Sequence, residues 1–167
     1  MEINLIVNGF KFLGAGLCMG FGAIGTSIGI GFAAGEAVKG IQRQSNASTE
    51  ITKIMLIGQA VSESPAIFAL VIAILMLFSP VDIPPDANLA FLITNFGLFL
   101  GAGISMGWGA FGPGIGSGWA NGYACAELAR NPHLNQLILR TMLIGQSVSQ
   151  STSVYALVVA LLLLFVV

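Results

Sequence analysis

One glutamate interrupts the stretch "GQAVSESPAIFALVIAIL", residues 58–75, which is otherwise almost wholly apolar. Glu63 lies near the midpoint of the run from Ile51 to Phe78, a run long enough to cross a bilayer core. A charged side chain at that depth costs on the order of 3 kcal/mol or more, so a carboxyl there points to a function. From mid-span it is too deep to snorkel to either surface. Desolvation disfavours the charged form of a carboxyl, which turns such a group into a reversible proton site; a coordinated Na⁺ is the alternative occupant. A permanently protonated, structural glutamate is the competing reading.

The neighbours suit an ion. Gln59 precedes Glu63 by one turn and Ser64 follows it. Pro65 has no N–H, so the carbonyl of Val61 loses its helical partner four residues on. Eighty-seven positions later the text recurs as "GQSVSQSTSVYALVVALL", residues 145–162, with Gln150 in the place of the glutamate. Ser62, Ser64, Ser149 and Ser151 put hydroxyls at the same depth. A glutamine copies the shape of a glutamic acid and has no proton to lose near neutral pH. Two similar pockets with one titrating group are expected.

These residues need a membrane around them. The chain of 167 residues is 56% hydrophobic and 8% charged, with mean hydropathy +0.91, where a soluble domain carries about 25% charged residues. Its net charge of −1 includes no basic tract for nucleic acid. Cys18 and Cys125 sit inside apolar segments and read as small buried hydrophobes. Lipid offers no partner for backbone polar groups, so the four long apolar segments must be helices. They are predicted at about 9–42, 48–78, 89–129 and 134–166, which makes the fold class an all-α membrane protein. Residues 1–80 form a first helical hairpin, 81–87 a linker and 88–167 a second hairpin. Met1–Pro80 lies on Asn88–Val167 without a gap, as a tandem duplication with both copies the same way up. The first 13 residues belong to the repeat, so a cleaved signal peptide is not expected. Lys39, Arg43, Lys53, Arg130 and Arg140 flank loops 43–49 and 130–135, whereas the middle linker holds Asp82 and Asp86. The positive-inside rule then makes the two basic loops cytoplasmic and both termini extracytoplasmic, in a multi-pass protein of the cell membrane; Lys11 alone dissents.

The first and third segments are crowded with glycine. "GFGAIG" (20–25) and "GWGAFG" (107–112) fit a dinucleotide-binding pattern, but no strand precedes either and both lie in membrane-length runs, so that reading fails. Gly16/Gly20, Gly25/Gly29 and Gly31/Gly35 are spaced four apart and mark faces where helices approach closely. The second and fourth segments are rich in Leu, Ile, Val and Phe and suit a lipid-facing layer. Small residues inside and bulky ones outside give the taper of a two-layered ring.

Together the Gly-rich first helix, the "ARNP" loop (129–132) and the mid-membrane "GQAVSES" resemble the c (proteolipid) subunits of rotary ATP synthases, F-type in sequence with a V-type four-helix arrangement. The likeness covers nearly the whole chain; the first loop departs from it, with Ser45 where the motif has proline. The resemblance implies a non-catalytic rotor subunit in a homo-oligomeric ring, embedded in membrane lipid and turning against a stator subunit a. Glu63 would release and reload its ion there, coupled to ATP synthesis or hydrolysis. Arg43, Gln44, Arg130, Asn131 and Pro132 would lie in the loops that meet the central-stalk subunits gamma and epsilon. No organic cofactor is implied; the bound species is H⁺ or Na⁺. In sodium-type members the glutamate is followed by Ser or Thr, and a carbonyl lies two residues before it. Val61, Glu63 and Ser64 match, as do Val148 and Ser151 beside Gln150. A glutamine on the first helix completes the sodium pattern, and here that position holds Ile30, or Ser117 in the second hairpin. H⁺ is the expected ion and Na⁺ the alternative. From another class, a small H⁺-coupled drug exporter would also use a membrane glutamate, but would need an aromatic-lined cavity of substrate size.

Overall fold

Residues 2–165 are described by a computed structural model. Five α-helices and two short 3₁₀ turns make up nearly all of it: α1 Glu2–Arg43, α2 Ser48–Ser62, α3 Ser64–Phe78, α4 Leu89–Arg130 and α5 Asn135–Phe165. Four stretches are long and apolar enough to cross a membrane, α2 and α3 forming one of them. The chain is a multi-pass, all-α membrane protein.

Helix bounds differ from expectation in two places. The first helix begins at Glu2 rather than near residue 9. Hydropathy marks where the chain is apolar, whereas a helix continues as long as its backbone bonds are made, and Asn4 and Asn8 do not break them. The second span is not one helix: it breaks at Glu63 and resumes at Ser64. Residue 166, the expected end of the last helix, and the outer limits of the two expected hairpins, 1 and 167, lie outside the described residues.

Helices α1 and α4 pack along their length, with α3 laid on α1 and α5 on α4. The close approach rests on glycine. A Cβ on Gly25 would meet the backbone of Phe111, one on Gly29 that of Gly114, and one on Gly103 that of Gly14. Each hairpin is closed by the same pairing one repeat apart, Gly22 against Ala69 and Gly109 against Ala156. Of the three four-spaced pairs only Gly25/Gly29 packs within the chain; Gly16, Gly20, Gly31 and Gly35 have open space beside them.

Two apolar clusters fill the interior. One surrounds Cys18, Ile72, Met76, Met106 and Ala110, the other Ile51, Ile54, Cys125 and Leu128. Lys11, which argued against the expected orientation, is buried and donates from Nζ to the carbonyl of Ser79 at 2.5 Å. That carbonyl stands at the C-terminus of α3, where the helix dipole favours a cation.

Candidate ion site

Glu63 occupies the break itself, with φ −77° and ψ −20°. Its N–H donates to the carbonyl of Gln59 at 3.1 Å, and its own carbonyl accepts from Ala66 and Ile67 at 3.0 and 3.2 Å. Pro65, fully buried, is the cause: it brings no N–H to Val61, so the helix restarts on a proline in its first turn. The Glu63 side chain is exposed on the flank of the chain and enters a groove of about 500 Å³. Met19, Thr26, Ser27 and Ile30 of α1 and Ala66 and Ile67 of α3 line it, among others. The Ser27 hydroxyl is already committed, donating to the carbonyl of Ala23 at 2.7 Å. Thr26 is different: its hydroxyl is buried against Gly114 of α4 and has no partner among the described residues. Gln59 reaches toward the same wall, its Nε2 3.5 Å from the carbonyl of Ile30.

The twin pocket lies between the hairpins and is closed. Gln150 donates from Nε2 to the carbonyl of Val61 at 2.5 Å, the carbonyl that Pro65 leaves free. One turn earlier, Nε2 of Gln146 lies 3.1 Å from the carbonyl of Gly58, 3.2 Å from the Ser62 hydroxyl and 3.0 Å from the carbonyl of Ser117. Gln146, Ser62 and Ser117 are fully buried, and Oε1 of Gln146 has no partner among the described residues. The Ser117 hydroxyl donates to the carbonyl of Pro113 at 2.7 Å. Below this cluster Asn121, also fully buried, donates to the carbonyl of Met55 at 3.0 Å and presses against Gly58.

The expected site residues therefore fall into two groups within one chain. Glu63 and Ile30 share the open groove, and Gln59 bonds the Ile30 carbonyl beside it; Val61, Gln150 and Ser117 gather with Gln146 between the hairpins. Val148 and Ser151 join neither: Val148 is 69% exposed, and the Ser151 hydroxyl donates to the carbonyl of Ser147 at 3.3 Å. Ser64 is half-buried and makes no side-chain hydrogen bond among the described residues. The reason is geometric, since α5 lies on the Val61 side of α2 and leaves the Glu63 side uncovered. Thr26, Asn121 and Gln146 were not anticipated. Gln146 is the counterpart of Gln59 one repeat on, a signal in plain view. Thr26 and Asn121 stand where the other repeat has Pro113 and Ala34, and such differences mark no chemistry by themselves.

Both loops turn alike. Gln44 (φ −139°, ψ 76°) and Asn131 (φ −134°, ψ 70°) end their helices in the same conformation, and a 3₁₀ turn follows each. Ser45 thus replaces the motif's proline without changing the path. Arg43 is exposed, Gln44, Asn131 and Pro132 are half-buried, and Arg130 pairs with Glu127 at 2.7 Å on the surface.

The family model for the C subunit of ATP synthase matches residues 13–76 and again 100–163, once in each hairpin and over more than half of the chain. An ATP synthase c subunit of Mesomycoplasma hyopneumoniae is 47% identical over 68 residues, 41% of this chain and 66% of the relative. One from Petrotoga mobilis is 47% identical over 70 residues, covering 42% and 73%. One from Thermotoga petrophila is 40% identical over 80 residues, covering 48% and 94%. Less than half of this chain is thus matched by any of these three.

Proposed function

Because the chain belongs to the family of ATP synthase C subunits, we propose that it is a rotor subunit. Its single mid-membrane carboxyl, Glu63, carries H⁺ across the membrane as a ring of these chains turns against a stator subunit a. It catalyses no bond change itself; the coupled ATP synthesis or hydrolysis belongs to other subunits. The observation that carries the reading is the relation between the two pockets. Hairpin two presents Gln150 to the carbonyl of Val61 in hairpin one. Carried one repeat along, the same contact presents Glu63 to the carbonyl of Val148. Within the chain Val148 is exposed and does not line the Glu63 groove. A second copy, docked as hairpin one docks on hairpin two, supplies that carbonyl together with Gly145 and Ser149.

The free surfaces suit this docking. Gly103, Gly107, Gly118 and Gly122 of α4 meet α1, and their counterparts on α1 are Gly16, Gly20, Gly31 and Gly35, all open. Ile144, Val148 and Tyr155 form an exposed apolar row on α5, while their counterparts Ile57, Val61 and Phe68 are half-buried. The ring is closed by repeating a contact already present within each chain. Loops 43–49 and 130–135 then lie at one end, on the cytoplasmic side by their charge, and turn Arg43 and Arg130 toward the central-stalk subunits gamma and epsilon.

H⁺ is favoured by the groove, which is mainly apolar and has Ile30 where a further oxygen ligand would help Na⁺. A protonated carboxyl needs one acceptor, and Val148 of the neighbouring copy provides it. Na⁺ is the second reading, and Ser64, which follows Glu63 and makes no side-chain hydrogen bond among the described residues, favours it. Labelling of assembled rings with a fluorescent carbodiimide tests both. The reading expects one adduct per chain, on Glu63, with loss of ATP-driven transport, slowed by raised pH. Protection by Na⁺ at fixed pH would replace H⁺ by Na⁺; absence of a Glu63 adduct would remove the rotor role.

A further inference from the structure

The end of the molecule opposite the two basic loops holds a cavity of about 310 Å³ that the ion site does not use. It lies where α3 ends and α4 begins, at the depth where the spans leave the apolar core and meet lipid headgroups. Ser79, Asp82, Thr94 and Asn95 give it a polar side, and Phe91 and Leu163 stand among its apolar walls. The linker builds it. Val81 and Ile83 pack against the apolar cluster around Met76, and Pro80, Pro84 and Pro85 stiffen the path, so Asp82 is held between two anchors. Residues 81–87 have no counterpart in the repeat, so the cavity belongs to the joint between the hairpins. Asn95 registers the difference: it is 8% exposed, whereas its counterpart Asn8, with no linker across it, is exposed.

The polar side of this cavity is short of donors. Nδ2 of Asn95 donates to the carbonyl of Phe91 at 2.9 Å, which leaves its Oδ1 with no partner among the described residues. Asp82 makes no ion pair among them either. Lys11, the one described cation at this end, is committed to the Ser79 carbonyl and does not line the cavity. A carboxylate, a carboxamide oxygen and the Thr94 hydroxyl together accept three hydrogens, the number that a primary ammonium donates. We infer that the cavity binds a primary ammonium group, that of a phosphatidylethanolamine headgroup, with the chains of the lipid along α5. Location favours a lipid over a soluble amine: Leu163 belongs to α5, the least buried of the four spans. A quaternary choline has no N–H to give and would leave Oδ1 of Asn95 unpaired. The bound headgroup ties the linker, through Asp82, to α4, through Asn95, and so braces the joint between the hairpins.

The test is native mass spectrometry of the purified full-length protein in detergent, titrated with dioleoyl lipids of ethanolamine, choline or glycerol headgroup. The ethanolamine lipid is expected to bind more tightly than the other two. Asp82→Asn should weaken it by about fivefold, the size of one partly exposed ion pair, and leave the choline lipid unchanged. Asn95→Ala should also weaken it. Asp86→Asn, which alters a carboxylate of the same linker outside the cavity, should have no effect. Circular dichroism of each variant separates lost binding from lost folding. Decylamine should displace the ethanolamine lipid, and decanol should not. Equal affinity for the ethanolamine and choline lipids would overturn the inference, as would equal losses in D82N and D86N. Decylamine held through Asp82, beside an ethanolamine lipid indifferent to D82N, would make the guest a soluble amine and overturn the lipid assignment.

Discussion

Asn121 and Gly58 fit each other as a peg fits a hole. The carboxamide lies where a side chain on residue 58 would begin, and it holds the Met55 carbonyl from across the chain. Gly58→Ala therefore forces the two hairpins apart, at a cost of about 1–3 kcal/mol of overpacking. The double variant G58A/N121A should recover most of the loss, since the second substitution clears the space. Thermal unfolding in detergent, followed by circular dichroism, measures both. At Gly145, the counterpart of Gly58, nothing within the chain opposes a Cβ. Glu63→Gln is a different kind of change. The chain already carries glutamine at the matching position of its other hairpin, so the E63Q ring should assemble at native yield and transport nothing. Ring formation on a denaturing gel, beside ATP-driven acidification of vesicles, separates the two effects. Glu63 was legible in the sequence because a carboxyl in a membrane run has no cheap explanation. Its surroundings were less so. Val148 and Ser151 match a motif by position, but whether they meet Glu63 depends on which flank of the helix α5 covers. Spacing along one chain does not specify that.

At the scale of helices, the four spans were legible from hydropathy and the duplication from a shift of the text. The break at Glu63 was half-visible: Pro65 marks a lost hydrogen bond, yet many membrane helices carry a proline without stopping. What decides here is that the freed carbonyl finds a donor in Gln150, so the opened backbone is not left unsatisfied. Pro65→Ala should restore the helical bond to Val61 and make α2 and α3 one helix. That would leave the Gln150 amide to share an occupied carbonyl and would weaken the joint between the hairpins. Amide hydrogen exchange of residues 61–67 would fall, and the chain would unfold at a lower temperature. The glycines also divide by face, a distinction that their spacing does not carry. Gly29→Leu should split α1 from α4 and unfold the chain, because its Cβ has no room beside Gly114. Gly20→Leu should leave the isolated chain folded and abolish the ring, because its side is open until another copy arrives. Chain helicity and ring mass read these outcomes separately.

At the scale of the molecule, two hairpins hold one mid-membrane carboxyl, which the proposed function makes the only ion carrier. For a ring of given circumference this halves the ions carried per turn relative to one-hairpin subunits, and so the ions moved per ATP. Such a rotor is suited to export against a steep gradient, or to synthesis under a strong ion-motive force. Counting chains in the intact ring by native mass spectrometry checks the premise. If the chains are as numerous as single hairpins in an ordinary ring, the halving disappears. The pairing of hairpins also has a consequence for motion. Residues 79–88 join the two copies covalently, so hairpins enter the ring two at a time. Whatever its size, a ring of this chain alone has an even number of hairpins. On the proposed reading, the turn that brings the next Glu63 to the stator would sweep two hairpins rather than one. In the proposed ring the rotor would advance with twice the stride, and half of each stride would pass with no ion changing hands.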